Sequence, residues 1–296
     1  MSQAIQPTAG IAQAAMLVNF SVSLYSGRKQ DKRTQAEVTT AHNAASAKAA
    51  SVYKNLFSDC PELEAVTKFQ ARARQRHYAL TLPWSDDGLR LLPTRAFMDY
   101  SAEMRRMHDQ FDLLVDAFIQ KYDTLVAAAA FKLGTLFDRD EYPASQDIAN
   151  RFRFNVDYMP LPTAGDFRLD IESEIQQKLI ESYEQRLAAS VQAAQQDAWN
   201  RLYDALAQLK DRLTLTDEGK RKIFRDTTVT NAQELCGLLT QLNVTNDPVL
   251  EAARQKLEES IMGVEPAELR REEGERLTVL SKVDEILSSF NFGVDE

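Results

Sequence analysis

The chain has 296 residues, 44% of them apolar and 27% charged, and its 35 Lys and Arg against 44 Asp and Glu leave a net charge of −9. That suffices for one large or two ordinary domains and excludes a chain disordered by composition. No apolar run approaches the roughly 20 residues of a membrane helix, no basic start precedes an apolar signal core, and two cysteines, Cys60 and Cys236, are too few for a disulfide scaffold or a Cys-based zinc cluster. A reducing cytoplasm is the expected compartment. Charge is unevenly spread: residues 1–110 carry +4 and the remainder −13.

In chain order, residues 1–15 read as a loose end. Residues 18–24 alternate apolar and polar, which predicts a strand. Arg28, Lys29, Lys32 and Arg33 form a first basic cluster, and the Ala-rich stretch 34–57, with Val38, Ala45, Ala49, Val52 and Leu56, reads as a helix. Lys68, Arg72, Arg74, Arg76 and His77 form a second basic cluster, followed by Tyr78 and Trp84. Residues 78–82 and 89–92 flank Asp87-Gly88, a β-hairpin signal.

Residues 94–133 contain neither Gly nor Pro. Phe97, Tyr100, Met104, Met107, Phe111, Leu114 and Phe118 recur there at steps of three and four, which is heptad spacing, and Tyr122, Leu125 and Ala129 continue it after a stutter. Thr94 is the expected cap and Gly134 the expected stop. Residues 152–158 alternate as a strand that Pro160 and Pro162 should end. Asp166-Phe-Arg-Leu169 leads to a second breaker-free stretch, with Asp170 as cap and Glu172 and Glu174 in the first turn. Ile171, Ile175, Leu179, Tyr183, Leu187 and Val191 follow at steps of four; Trp199, Leu202, Leu206, Leu209 and Leu213 return to three and four. The two seams predict an antiparallel coiled-coil arm built from 95–137 and 171–213. Three shorter helices should follow: 231–242 opened by the Thr230/Gln233 capping box, 248–262 opened by Asp247-Pro248, and 266–289 opened by Pro266. Residues 291–296 read as loose.

The expected fold is therefore mainly α: a long antiparallel helical hairpin, a small β-sheet at its base and a C-terminal helical bundle. The expected division is 1–93, a basic region with helix and hairpin; 94–214, the arm with a strand-containing insert at 138–170; and 215–296, the helical C-terminal region.

Chemistry is sparsely written. His42, His77 and His108 have no second His or Cys at metal-ligand spacing, and no phosphate-cradling glycine loop or nucleophile elbow occurs. No catalytic residue, cofactor or metal is expected. Asp138, Asp140 and Glu141 are the one weak metal candidate, and an acidic loop leaving a helix is the preferred explanation of them. For nucleic-acid binding the candidates are Arg28, Lys29, Arg33, Lys68, Arg72, Arg74 and Arg76, with Trp84 as a stacking ring. A single solvated helix face explains the second cluster as well. For protein docking the candidates are the seam residues Phe97, Met104, Phe111, Phe118, Trp199, Leu202 and Leu209.

Several strings together carry a resemblance: Asn19-Phe-Ser-Val-Ser-Leu-Tyr-Ser-Gly-Arg-Lys29, Leu133-Gly-Thr-Leu-Phe-Asp138, Glu141-Tyr-Pro143, Phe152-Arg-Phe154, Pro160-Leu-Pro162, Asp166-Phe-Arg168, Leu242-Asn-Val244 and Asp247-Pro248. Over about residues 17–260 the chain resembles an uncharacterised family of bacteriophages, plasmids and integrative elements. Members of that family often lie beside genes for a MoxR-type or cobaltochelatase-like AAA+ ATPase and a von Willebrand-type protein. The resemblance implies an accessory protein of a mobile element that works with such an ATPase machine or in DNA metabolism. The long seams themselves lead to the expectation of a non-enzymatic interaction protein in a bacterial host cytoplasm, partnering another protein or a second copy through the helical arm. The alternative it leaves open is a nucleic-acid-binding accessory in DNA metabolism.

Overall fold

The computed structural model describes residues 11, 13–46, 48–85, 87–162, 173–216, 218–290 and 292. The alternating stretch around Val18 forms β1 (Ala15–Ser23), so strand structure begins inside the expected loose end, and Ile11 is already buried. After β1 come β2 (Arg28–Gln30), α1 (Lys32–Ala41), β3 (Tyr53–Asn55) and α2 (Pro61–Leu80). The expected hairpin is present but short, with β4 (Leu82–Pro83) against β5 (Leu89–Pro93). Residues 78–80 complete α2 instead of opening a strand. Gly88, at φ +89°, supplies the left-handed turn. β5 pairs antiparallel with β1 from Ala15↔Pro93 to Asn19↔Leu89. β6 (Arg153–Pro160) completes a four-stranded sheet of order β4-β5-β1-β6. Pro83 sits on an edge strand, where its missing N–H costs no ladder bond.

The helix expected at 34–57 stops at Ala41. Asp31 caps its start, accepting from the Arg33 and Thr34 N–H groups at 3.1 Å each. Asn43, at φ +51°, turns the chain away. Residues 53–55 then gain ladder partners from 28–30 in the two-stranded β2-β3 sheet. A run of alanines without a stripe to bury has little reason to stay helical in water.

Both long helices form: α3 (Phe97–Leu133), ended by Gly134 at φ +52°, and, beyond the short α4 (Ser145–Ala149), α5 (Ser173–Leu213). The C-terminal helices are α6 (Asp226–Leu242), α7 (Pro248–Ile261), α8 (Pro266–Arg271) and α9 (Glu273–Ser289). α6 opens at Asp226, upstream of the capping box. The helix expected at 266–289 breaks at Glu272, whose backbone is extended. The expectations for 166–172, for the Glu174 and Ile175 side chains, and for 1–10 and 293–296 lie outside the described residues. The fold is thus mainly helical, with a small antiparallel sheet and C-terminal helices. Among the described residues no helix is long and apolar enough to cross a membrane.

In place of three consecutive segments, the chain groups into two compact units, each discontinuous in sequence. Unit one is Met1–Asn19, Tyr78–Tyr100 and Asp157–Glu296; unit two is Phe20–His77 and Ser101–Val156.

Unit one has an aliphatic core. Leu202, Leu206, Leu209 and Leu213 of α5 are fully buried among Val229, Cys236 and Leu239 of α6, Leu250 and Leu257 of α7, and Val279 and Val283 of α9. Trp199 stands at one end, 5.5 Å from the Phe292 ring, so the expected loose end is buried at that residue. Asp247 ties two elements together. Its Oδ1 accepts from the Val249 and Leu250 N–H groups at the start of α7, and its Oδ2 accepts from Gln195 Nε2 at 2.9 Å and Trp199 Nε1 at 3.2 Å on α5. Burial pushes this carboxyl's pKa up, but the donors around it outweigh burial and hold it below the ordinary value. Arg201 donates to the Tyr78, Ala79 and Thr81 carbonyls, and Arg90 donates to those of Tyr78 and Thr81, so two cations meet the carbonyl end of α2.

Unit two is built from rings. Phe57 meets Tyr25, Phe118, Tyr122 and Tyr142 at 5.4–6.1 Å, and Phe118 also meets Phe152 at 5.7 Å. Phe111 lies against Phe69 of α2 and Phe154 of β6. Two of the three tyrosine hydroxyls are paired, Tyr142 Oη donating to the Leu56 carbonyl and Tyr122 Oη to that of Pro143, whereas the Tyr25 hydroxyl is buried without a hydrogen-bond partner among the described residues. At Gly27 (φ +61°) an added Cβ would lie 3.1 Å from Leu63 and 3.3 Å from Phe57.

Each long seam is therefore filled by elements of its own unit. The expected antiparallel pairing of 95–137 with 171–213 is not what buries either one. Heptad spacing marks which face of a helix is covered; it does not specify what covers it.

Candidate interaction surface

α3 is a two-sided rod. Its inner seam holds Met104, Phe111, Phe118 and Tyr122, all buried. Opposite runs a second series, Leu113, Ala117, Gln120, Thr124, Ala127 and Phe131, at steps of four, three, four, three and four. All six are exposed, Leu113 at 70% and Phe131 at 93%. They span five turns, about 27 Å of helix. Charge is kept to the flanks, with Asp116 and Asp123 on one edge and Lys121 and Lys132 on the other. Lys121 Nζ lies 2.6 Å from Glu62, whose pKa this hydrogen bond lowers. Such a face, with large ends and a small middle, can receive another helix at close range. Sequence reading missed it because Ala, Thr and Gln hide a second heptad behind a louder aromatic one.

The seam candidates are otherwise engaged. Met104, Phe111 and Phe118 lie inside unit two, and Trp199, Leu202 and Leu209 inside unit one. Phe97 is half-buried, 5.2 Å from the Tyr158 ring. None of them offers a free docking face.

The basic candidates on α2 lie on its solvent side, as helical spacing allows. Lys68 pairs with Glu64 at 3.1 Å, Arg76 with Glu103 at 3.3 Å, and Arg72 donates to Gln110 while lying 4.8 Å over the Phe69 ring; Arg74 is exposed. Trp84 is not part of their unit. It belongs to unit one, packed on the aliphatic core, and its carbonyl accepts from Ser190.

The first basic cluster borders a cleft of about 570 Å³ in unit two. Arg28 lies over the Tyr53 ring at 5.2 Å and Arg33 pairs with Glu37. The cleft's cations, Lys29, Lys32, Arg33 and Lys54, are matched by Asp31, Glu37, Asp138 and Glu141, so it has no cationic excess to hold a phosphate backbone. Lys54 is nearly buried, 2.7 Å from Glu141 and 4.0 Å from Asp31, and it donates to the Leu136 carbonyl. Sequence reading placed it in the helix expected at 34–57 and so missed this ion pair.

The metal candidates do not converge. Asp138 accepts from the Asp140 N–H and Glu141 faces Lys54. Among the described residues no three His, Cys, Asp or Glu side chains gather as a metal site would require. His42 caps the end of α1, His77 is buried against Phe20, and His108 stacks on Phe154. Burial pushes both thiols up, Cys236 to about 11, so neither is a thiolate near neutrality.

No protein-family model, curated protein or solved structure matches the chain.

Proposed function

We propose that the chain is a non-enzymatic interaction protein that receives a helical partner on the outward face of α3. One observation carries the reading: Leu113 and Phe131 stand exposed, at 70% and 93%, at the two ends of an uncharged five-turn face. Large apolar side chains aligned this way on a stable helix fit helix-on-helix recognition. The coiled coil expected from the sequence then forms between α3 and a partner, not between α3 and α5. The resemblance described above supports placing this role in a phage or mobile element, beside an AAA+ ATPase. The nucleic-acid alternative draws less support, since Trp84 belongs to unit one and packs on its aliphatic core, and much of the basic charge is paired.

Quantitative affinity capture from the native host, with the wild-type chain and with Leu113→Glu/Phe131→Glu, tests the reading. Partners should be retained by the first and lost by the second. Equal retention by both would remove α3 from the role.

A further inference from the structure

Resting on that reading, we infer that the partner helix is α3 of a second copy of this chain, docked parallel and in register. The outward series reads as alternating d and a positions: Leu113 and Gln120 at d, Ala117 and Thr124 at a, then Ala127 at d and Phe131 at a. In a parallel pair each residue meets its own counterpart. Gln120 then faces Gln120 of the second copy, and a primary amide holds both donors and an acceptor, so the pair satisfies itself across a two-fold axis. A polar residue at one such position also fixes register.

The flanks decide orientation. Asp116 precedes an a position and Lys121 follows a d position, five residues further on. That offset is the one at which flanking residues of parallel helices meet, so Asp116 of each copy faces Lys121 of the other, twice by symmetry. Glu62 already lies against Lys121, and the exposed ammonium has two further donors for a second carboxylate. In the antiparallel arrangement that brings Leu113 over Phe131, like flanks meet instead. Asp123 would then approach Asp123 and Lys121 would approach Lys121, which is repulsive. Ala117 and Ala127, without bulk, let the two rods close to the short end of helix spacings, about 8 Å. The stripe is bounded: one turn upstream Gln110 engages Arg72, two turns upstream Arg106 engages Glu103, both within their own unit, and Gly134 ends the helix downstream.

The test uses the full chain. Sedimentation equilibrium of the wild type should show a concentration-dependent dimer, and Leu113→Glu/Phe131→Glu should weaken it at least about tenfold while leaving the circular dichroism unchanged. Asp116→Lys should weaken it about twofold or more, with reduced salt dependence. Orientation is read by oxidation of Ala117→Cys and Ala127→Cys, the native thiols being buried. Parallel docking cross-links each variant with itself. Cross-linking only in a mixture of the two variants would show the antiparallel pair and overturn the inference, as would a monomer at all concentrations. Should the chain be monomeric while host proteins are still captured by the wild type and lost by the double variant, the docking face stands and only the second copy falls. Failure of both measurements removes both.

Discussion

α3 and α5 are near-equals in length, 37 and 41 residues, and both carry an apolar seam at heptad steps. Their surroundings differ. α5 packs on α6, α7 and α9, and its exposed positions are filled by residues such as Glu181, Glu184, Gln185 and Gln192. α3 buries one side in aromatic rings and shows an uncharged side to water. The lesson is that a seam's loudness tracks how completely the chain itself satisfies it. The quieter series, made of Ala, Thr and Gln between two large residues, is the one left open to a partner.

The largest expected effect lies in the aromatic unit. Phe118 is fully buried and touches Phe57, Tyr122 and Phe152, so Phe118→Ala should cost about 3–5 kcal/mol in urea unfolding. A loss below about 1 kcal/mol would mean the inner side of α3 is not a true core. The matching change on α5, Leu206→Ala, should cost about 2–5 kcal/mol. Equal losses would make the two inner seams alike and leave the outer faces as the difference. Third, Asp247→Ala should cost about 1–2 kcal/mol through its lost cap alone. Its folded pKa lies below the ordinary value near about 3.9, so its contribution is complete above that pH and drains away as pH falls through the folded pKa. The variant should therefore show a shallower acid transition by thermal denaturation; an unchanged one would remove Asp247 from the link between α5 and α7. The smallest effect on stability, within about 0.5 kcal/mol, is expected for Leu113→Glu/Phe131→Glu measured at dilutions where copies do not associate, both side chains being solvent-facing within the single chain. A large loss under those conditions would mean that the outer side of α3 is covered by its own chain.

Much of the fold was legible where patterns were local. The strand around Val18, the breaker-free spans of α3 and α5, and the Asp247-Pro248 start of α7 follow from alternation, from missing Gly and Pro, and from capping chemistry. What stayed hidden depends on distant chain. The strand at Tyr53–Asn55 exists because Arg28–Gln30 offers it a ladder, and no composition signal separates it from the alanines before it. The interaction surface was concealed for a related reason: Thr124 and Ala127 look like filler until Tyr122 and Phe118 are seen to point the other way.

Trp84 and Trp199 are the chain's two tryptophans, and both belong to unit one, whereas unit two carries tyrosines and no indole. Fluorescence excited at the red edge, where tyrosine no longer absorbs, will therefore follow the melting of the aliphatic unit alone. Paired with near-ultraviolet dichroism, to which the packed tyrosines around Phe57 contribute, it gives an intrinsic, label-free readout of whether the two cores come apart in one cooperative event or in two.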